Sequence, residues 1–184
     1  MRLNIWTYHA DFVLTPLLIL ALMLKGTLPA TIAGAGAWLG CAAVGFAAWT
    51  LFEYVVHRFI YHHAPYFRDV HEAHHGDPQG LIGAPPVLGP VMVFSLFYLP
   101  ILPIGPSAAE AVASGALAGY FAYMLLHHAA HHWRTTPGTW LHYARRHHAQ
   151  HHHASDACNF GITTSFWDHA FGTALRGTRQ RAHS

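Results

Sequence analysis

The stretch from His142 to His153 reads HYARRHHAQHHH, and it is the densest of several histidine clusters in the chain. Within it His148, His151 and His152 stand at positions i, i+3 and i+4, so on an α-helix their side chains leave from one face. Neutral imidazole is the commonest side-chain ligand of metal ions. The spacing therefore predicts a helix that presents three metal ligands together.

Three more clusters lie upstream of this stretch. The triplet in HEAHH repeats the i, i+3, i+4 spacing, and histidines four apart occur in HHAAHH. His57 and His62 are five apart, which is not one face of an α-helix, so we expect a helix end or a distortion there. The clusters give ten candidate metal ligands: His57, His62, His71, His74, His75, His127, His131, His148, His151 and His152.

Ten imidazoles suit a pair of metal ions. Five nitrogens per ion leave a six-coordinate ion one open position for dioxygen or substrate, whereas a structural zinc site is closed by four ligands. Imidazole suits iron, zinc, copper or nickel, so ligand type alone does not choose the metal. Spacing also leaves the register open, because His128 with His132 fits locally as well as His127 with His131.

Composition predicts that the chain lies in a membrane. Of its 184 residues, 53% are hydrophobic, 10% are charged and 19 are histidine, whereas a soluble domain carries about 25% charged residues. A net charge of +2 argues against nucleic acid as the main partner. The two cysteines form neither a disulfide framework nor a zinc motif. The low charge disfavours the alternative of a soluble helical bundle.

The apolar segments predict an all-α integral membrane protein with one domain over residues 1–184. We expect four transmembrane helices as two hairpins, at about 11–30, 32–56, 86–104 and 108–126, with a tight turn at 26–29. Prolines interrupt the third segment, which neighbouring helices can tolerate. Small residues at Gly36, Gly40 and Ala43 or Ala47 are expected to allow close helix packing.

Residues 57–84 and 127–175 are then expected to form a histidine-rich helical cap on one membrane face. Of the ten Lys and Arg residues, only Lys25 falls on the opposite side. By the positive-inside rule, the metal site faces the cytoplasm. The nine basic residues on the histidine side are Arg2, Arg58, Arg68, Arg134, Arg145, Arg146, Arg176, Arg179 and Arg181.

Three carboxylates are candidates for holding the ligands in place. Glu53 lies one turn before His57 and could accept a hydrogen bond from its other ring nitrogen. The alternative for Glu53 is a carboxylate that only sits at the membrane interface. Asp69 and Asp168 are weaker candidates, because solvated acidic residues are common on such a face.

At these histidines the chain resembles the fatty acid hydroxylase and sterol desaturase superfamily of membrane di-iron enzymes. The signature of that superfamily reads here as HRFIYH (57–62), HEAHH (71–75) and HAQHH (148–152). Within the superfamily the chain is most similar to the catalytic domain of fatty acid and ceramide 2-hydroxylases. The similarity covers about 52–173 and includes the run HHAQHHHASDACNFGITTSFWDHAFGT.

The resemblance implies two iron ions, activation of dioxygen, and insertion of a hydroxyl into the acyl chain of a fatty acid or sphingolipid, at C2. Zinc can replace iron in a purified sample. The resemblance also favours His127 with His131 as metal ligands, and His148 over His147. Since no cytochrome b5 domain precedes the first apolar run, we expect a separate electron donor of the cytochrome b5 or ferredoxin type.

By the same analogy, a tail motif packs beside the cap and helps to shape the substrate entrance, although its aromatic residues could instead be ordinary interfacial anchors. The residues of this motif are Asn159, Phe160, Gly161, Phe166 and Trp167.

Two alternative functions stay open. Desaturation, or hydroxylation of a sterol or carotenoid, would use the same metal chemistry. A metal transport or storage protein is a different class, and transport predicts ionisable residues inside the spans. We expect only Glu53 at a span end and Glu110 near a turn, which disfavours transport.

Overall fold

The computed structural model describes residues 2–27, 32–83 and 85–175. These ranges are helical and contain no β-strand beyond a single backbone bridge between Arg2 and Ile82, which confirms the all-α expectation. The elements are α1 (Ile5–Thr27), α2 (Ile32–Val55) with a π-helical continuation (Val56–Tyr61), α3 (Pro65–Gly76), α4 (Leu88–Val93) with a second π-helical continuation (Phe94–Tyr98), α5 (Pro106–His132), α6 (Trp140–His153) and α7 (Phe166–Ala170).

Three helices in the described part of the chain are long and apolar enough to cross a membrane: Ile5–Gly26, Gly34–Tyr61 and Pro106–His132. They correspond to three of the predicted segments. The first begins at Ile5 rather than near residue 11, because the polar and aromatic residues before the apolar run include no helix breaker. Of the predicted turn at 26–29, Gly26 and Thr27 are helical, and positions 28 and 29 lie outside the described residues.

The remaining predicted segment, 86–104, is helical only over Leu88–Tyr98. At 1.5 Å per residue this helix is about 16 Å long, roughly half the thickness of the hydrocarbon core. Pro100 and Pro103 follow it within a run of turns. Proline has no backbone N–H to continue a helix, which explains why the helix ends where it does.

Helices α2 and α5 run parallel and pack closely through small residues. Gly115 lies against the backbone of Ala42, and Gly45 lies against the backbone of Val112, so a side chain at either glycine would collide with the opposite helix. Gly119 makes room for the ring of Trp49 in the same way. This close approach fixes the rotation of α5 about its axis.

The expectation that Gly36, Gly40 and Ala43 or Ala47 pack closely against another helix is wrong. A side chain added at either glycine would meet nothing within 4 Å, and both alanines are exposed. Sequence alone cannot choose between two small-residue faces of an Ala/Gly-rich helix, since both permit close approach.

Helix α1 runs antiparallel to α5. At one end the Tyr8 hydroxyl lies 3.1 Å from Nδ1 of His128. At the other end Lys25 Nζ forms a 2.5 Å ion pair with the buried Glu110 carboxylate. The ends of α2 and α5 that carry histidine therefore lie at the same end of the bundle as the start of α1, opposite Lys25.

Candidate metal centre

All ten predicted ligands come together where α2 and α5 end. The π-helical turn after α2 supplies His57, and His62 follows directly at its end; α3 supplies the first triplet, α5 the second pair and α6 the second triplet. The π-helix is the distortion expected between His57 and His62, since its wider turn stacks their rings with centroids 5.4 Å apart. π-Helical turns are common at functional sites.

One group, the four-histidine cluster, consists of His57, His62, His71 and His151, whose candidate ligand nitrogens all lie within 4.8 Å of one another. The Nε2 atoms of His57 and His71 are 3.1 Å apart, and those of His62 and His151 are 3.2 Å apart. His75 joins its edge, because its Nε2 is 3.0 Å from that of His71.

The five-histidine cluster consists of His74, His127, His131, His148 and His152, again within 4.8 Å. Nε2 of His74 lies 2.9 Å from that of His127 and 3.2 Å from that of His131. His131 and His148 face each other at 2.9 Å. The ring of His75 stacks on that of His152 at 4.1 Å, so the two clusters are adjacent.

The geometry of both clusters fits metal ions. A neutral imidazole nitrogen offers either one lone pair or one N–H, so three or more converging Nε2 atoms cannot all pair with one another. Metal–nitrogen bonds of about 2.1 Å place neighbouring ligands of a six-coordinate ion about 3.0 Å apart, and the observed separations are 2.9–3.2 Å. Both ring nitrogens of His152 are buried without a hydrogen-bond partner among the described residues.

The neighbouring histidines have other partners. His128 contacts the Tyr8 hydroxyl, and its ring stacks on that of the exposed His132. Nε2 of His147 lies 3.0 Å from the Asp168 carboxylate. In the described structure the register at α5 and α6 is therefore the one that the resemblance favours.

Backbone carbonyls orient two of the clustered histidines. Nδ1 of His57 donates to the Phe160 carbonyl at 2.6 Å, and Nδ1 of His151 donates to the Cys158 carbonyl at 2.7 Å. With Nδ1 carrying the proton, Nε2 keeps its lone pair for the cluster. Both carbonyls belong to residues 158–163, which we call the tail loop. Sequence spacing carries no signal for backbone acceptors, so these two carbonyls could not be predicted from the histidine motifs.

Glu53 binds the tail loop and does not bind His57. Its buried carboxylate accepts from the backbone N–H groups of Ile162 and Thr163 at 2.7 and 3.0 Å, and from the Thr163 hydroxyl. The expected hydrogen bond to His57 is wrong because the Phe160 carbonyl already occupies Nδ1 of that ring. Glu53 thus acts on the clusters only through the loop.

Asp168 holds the other side of the tail loop. It is fully buried and accepts from the N–H groups of Phe160 and Gly161 at 2.8 and 2.9 Å, besides His147. Although burial alone would raise the pKa of Asp168, these hydrogen bonds hold it below its usual range. Asp69, by contrast, is 67% exposed, pairs only with Arg68 among the described residues, and has no part in the centre.

The tail motif packs beside the cap, as the resemblance implies. Asn159 adopts φ 55°, a conformation that asparagine tolerates, and its amide donates to the His147 carbonyl. Phe160 lies edge-on to His57, and Trp167 donates to the Thr50 hydroxyl at 3.0 Å. Phe166 is exposed. None of the five residues lines the cavity of about 490 Å³ that reaches the histidine clusters, so the expected role in shaping its entrance is not supported.

A cavity of about 490 Å³ lies between the long helices and the cap. Its histidine end reaches both clusters through His57, His71 and His127. Apolar side chains such as Phe52 and Met92 line the part between the helices. The cavity therefore has the shape and polarity to bring an apolar chain to the histidines.

The clustered histidines of α3 and α6 have lowered pKa values and are neutral at pH 7, as metal binding requires. Burial, followed by repulsion from neighbouring imidazoles, lowers the pKa of His74 and of His75 to about 4. Burial also lowers the pKa of His151 to about 4, although its hydrogen bond to the Cys158 carbonyl acts in the opposite direction. The pKa of His71 and of His152 is lowered for the same reason, burial first.

Metal-free protein should lose stability as the pH falls from about 6.5 to about 4. Histidine in an unfolded chain has a pKa near 6.5, above the folded value of about 4 for His74. Between these values the unfolded chain binds more protons than the folded one. The free energy of unfolding therefore decreases as the pH is lowered, by about 2 to 3 kcal/mol for buried His74 alone. Melting temperatures in detergent test this. A melting temperature that does not change between these pH values would contradict the prediction. Bound metal should move the loss of stability to lower pH.

Comparison with known proteins agrees with this geometry. The sequence profile of the fatty acid hydroxylase family matches residues 42–173. Dihydroceramide fatty acyl 2-hydroxylase FAH2 of Arabidopsis thaliana is 35% identical over 140 residues, which cover 71% of this chain and 59% of that protein. Fatty acid 2-hydroxylase of Homo sapiens is 34% identical over 145 residues, covering 73% of this chain and 39% of that protein. The chain thus spans about two fifths to three fifths of these relatives.

A solved structure shares the fold. Full-length scs7p, of which only the hydroxylase domain is visible, superposes with a TM-score of 0.78 at 24% sequence identity, covering 95% of this chain and 68% of that one. The profile match contains all four histidine groups in full and the tail loop with its carboxylate anchors. The chain therefore belongs to the fatty acid hydroxylase family.

Proposed function

We propose that this chain is a membrane-bound two-metal oxygenase that hydroxylates the acyl chain of a fatty acid or sphingolipid at C2. The observation that carries the proposal is the pair of adjacent histidine clusters at the end of an apolar cavity between helices long enough to span a membrane. The relatives' names favour 2-hydroxylation over desaturation or sterol chemistry. Metal transport has no comparable support.

We assign one metal ion to the four-histidine cluster with His75 and the other to the five-histidine cluster, and we propose iron for both. Imidazole accepts several metals, but the reaction needs one that changes oxidation state. Two irons held there would supply the activation of dioxygen. The protein supplies fixed Nε2 lone pairs, because the tail-loop carbonyls hold Nδ1 of His57 and His151.

The cavity has a separate task. Its apolar walls would hold the acyl chain still with the attacked carbon beside the clusters, and would keep water away from the oxidant. The cavity lies where the candidate spans meet the cap. A binding site at that level suits a substrate that arrives from the lipid. Dioxygen and a separate electron carrier, of the cytochrome b5 or ferredoxin type, complete the partners that we propose.

For the membrane layout, we propose four segments in two hairpins within a single domain, with the short helix Leu88–Tyr98 as one arm of the second hairpin. We also propose that the histidine face is cytoplasmic. The basic residues at the histidine end support this orientation, while Lys25 lies at the other end paired with Glu110. Arg176, Arg179 and Arg181 lie outside the described residues.

The test is to supply cells that express the chain with fatty acid deuterated at C2, under ¹⁸O₂. The purified protein should carry about two metal ions. The labelled acyl chains in the lipids of these cells should gain one ¹⁸O and lose one deuterium. Mass spectrometry measures both changes. Cells that express the His151→Ala variant are the control and should show neither. A double bond, or oxygen at another carbon, would contradict hydroxylation at C2.

A further inference from the structure

After α6 the chain turns back along α2, toward the bundle of long helices. Three contacts follow one another along that helix: Phe160 with His57, Thr163 with Glu53, and Trp167 with Thr50. Thr50 precedes His57 by seven residues, so the returning chain covers about 10 Å of α2. We call its last part, residues 164–171 with α7, the tail segment.

The opposite end of the bundle shows how deep Thr50 lies. There Gly26, next to Lys25, packs against the ring of Trp38 on α2. A lysine near a helix end typically reaches the boundary of the hydrocarbon. Counted along α2 from Trp38, Thr50 is about 18 Å away and Tyr54 about 24 Å. Since the hydrocarbon core is about 30 Å thick and a tilted helix covers less depth, both residues lie inside it.

The first helix gives a consistent position for the second interface. Trp6, which is 85% exposed, precedes Lys25 by about 28 Å along α1. It is therefore placed like the tryptophans of a membrane interface. His57 is about as far from Trp38 along α2 and its continuation, so the histidines begin at this interface and the tail segment lies on its membrane side.

The backbone of the tail loop is satisfied within the protein, as irregular backbone at membrane depth requires. All six residues of the loop are buried. The N–H groups of residues 159–163 all donate to acceptors of the chain, which are the Thr173 carbonyl and the carboxylates of Glu53 and Asp168. Two carboxylates that bind backbone instead of metal therefore suit a loop that water does not reach.

The tail segment exposes apolar rings at this depth. Phe171 stacks on Tyr54 with ring centroids 5.3 Å apart but is still 52% exposed, and Phe166 is 60% exposed. Phe46, one turn before Thr50 on the same face of α2, is exposed as well. The apolar outer surface of the candidate span thus continues onto the tail segment.

We propose that the tail segment is re-entrant: it returns into the acyl-chain layer beside α2, with Phe166 and Phe171 in contact with lipid. Residues 164–171 then belong to the membrane and not to the cap. The exposed imidazole of the segment, His169, donates through Nδ1 to the Ser165 carbonyl. Because the tail loop joins this segment to two of the clustered histidines, the metal centre is anchored in the lipid. The proposal holds whether or not the chain is an oxygenase.

Spin-label accessibility in nanodiscs tests the depth of the segment. A nitroxide is attached to Phe166→Cys in the full chain with Cys41→Ser, and the same chain without Phe166→Cys gives the background from buried Cys158. The protein is loaded with zinc, because iron would itself relax the label. Oxygen, which concentrates in lipid, and a water-soluble nickel chelate are the two relaxing agents. Labels at Val44→Cys, on the outer surface of α2, and at Asp69→Cys, on the exposed side of α3, are the lipid and water controls.

The label at position 166 should have an oxygen-to-nickel accessibility ratio nearer to that of Val44→Cys than to that of Asp69→Cys. A ratio like that of Asp69→Cys would place the segment in water and overturn the proposal. A label that neither agent reaches would mean that protein, such as a second copy of the chain, covers the surface, and would overturn it as well. If Phe166→Cys does not fold, as judged by its melting transition, Ala170→Cys takes its place, because Ala170 is exposed on the same short helix.

Discussion

Replacing His131 with alanine should remove at least one of the two metal ions and abolish hydroxylation, whereas replacing His132 should do neither. His131 Nε2 lies 3.2 Å from that of His74 and 2.9 Å from that of His148, so its loss opens the five-histidine cluster. Loss of a residue that only orients a ligand already lowers metal affinity about 10- to 100-fold, and loss of the ligand should cost more. Metal content after purification measures the effect.

His132 is a matched control because it is the next residue on the same helix, is exposed, and belongs to neither cluster. Both variants remove one imidazole near the site, so a general effect of charge or stability should appear in both. Full metal content in His131→Ala, with loss in His132→Ala, would assign the other register. Loss in both would mean that the end of α5 tolerates no change.

Sequence spacing predicted the ten clustered histidines because a metal site needs ligands on one face of each helix. It could not choose between His131 and His132, since either belongs to a pair four apart. The choice depends on how α5 is rotated, and that rotation is set by Gly115 and Gly119 against α2. Close packing of two helices thus decides which histidines enter the site.

The partners of the carboxylates could not be predicted for a different reason. Glu53 binds N–H groups of Ile162 and Thr163, about 110 residues further along the chain, and a contact of that range has no local periodicity. The start of the first helix was predicted near residue 11 rather than at Ile5, because hydropathy does not register the polar and aromatic residues of its first turns. Span prediction from hydropathy gives the membrane core and leaves out the polar turns where sites lie.

Replacing Asp168 with asparagine should weaken both folding and metal binding, although Asp168 is in neither cluster. Its two oxygens accept from Phe160 N, Gly161 N, His147 and the Thr173 hydroxyl. The amide NH₂ of asparagine cannot accept, so at least one buried donor loses its partner, at a cost of about 1 to 3 kcal/mol or more. The loop that then shifts carries the carbonyls that orient two histidines.

We therefore expect Asp168→Asn to lower the melting temperature of the metal-free protein and to reduce metal affinity about 10- to 100-fold. Asp69→Asn is the matched control, because Asp69 is 67% exposed and its pair with Arg68 lies at the surface, where such changes alter stability by about 0.5 kcal/mol at most. Metal titrations at a temperature where both variants are folded separate the two effects. Unchanged affinity in folded Asp168→Asn would limit Asp168 to stability, because the tail-loop carbonyls would then orient the histidines without its help.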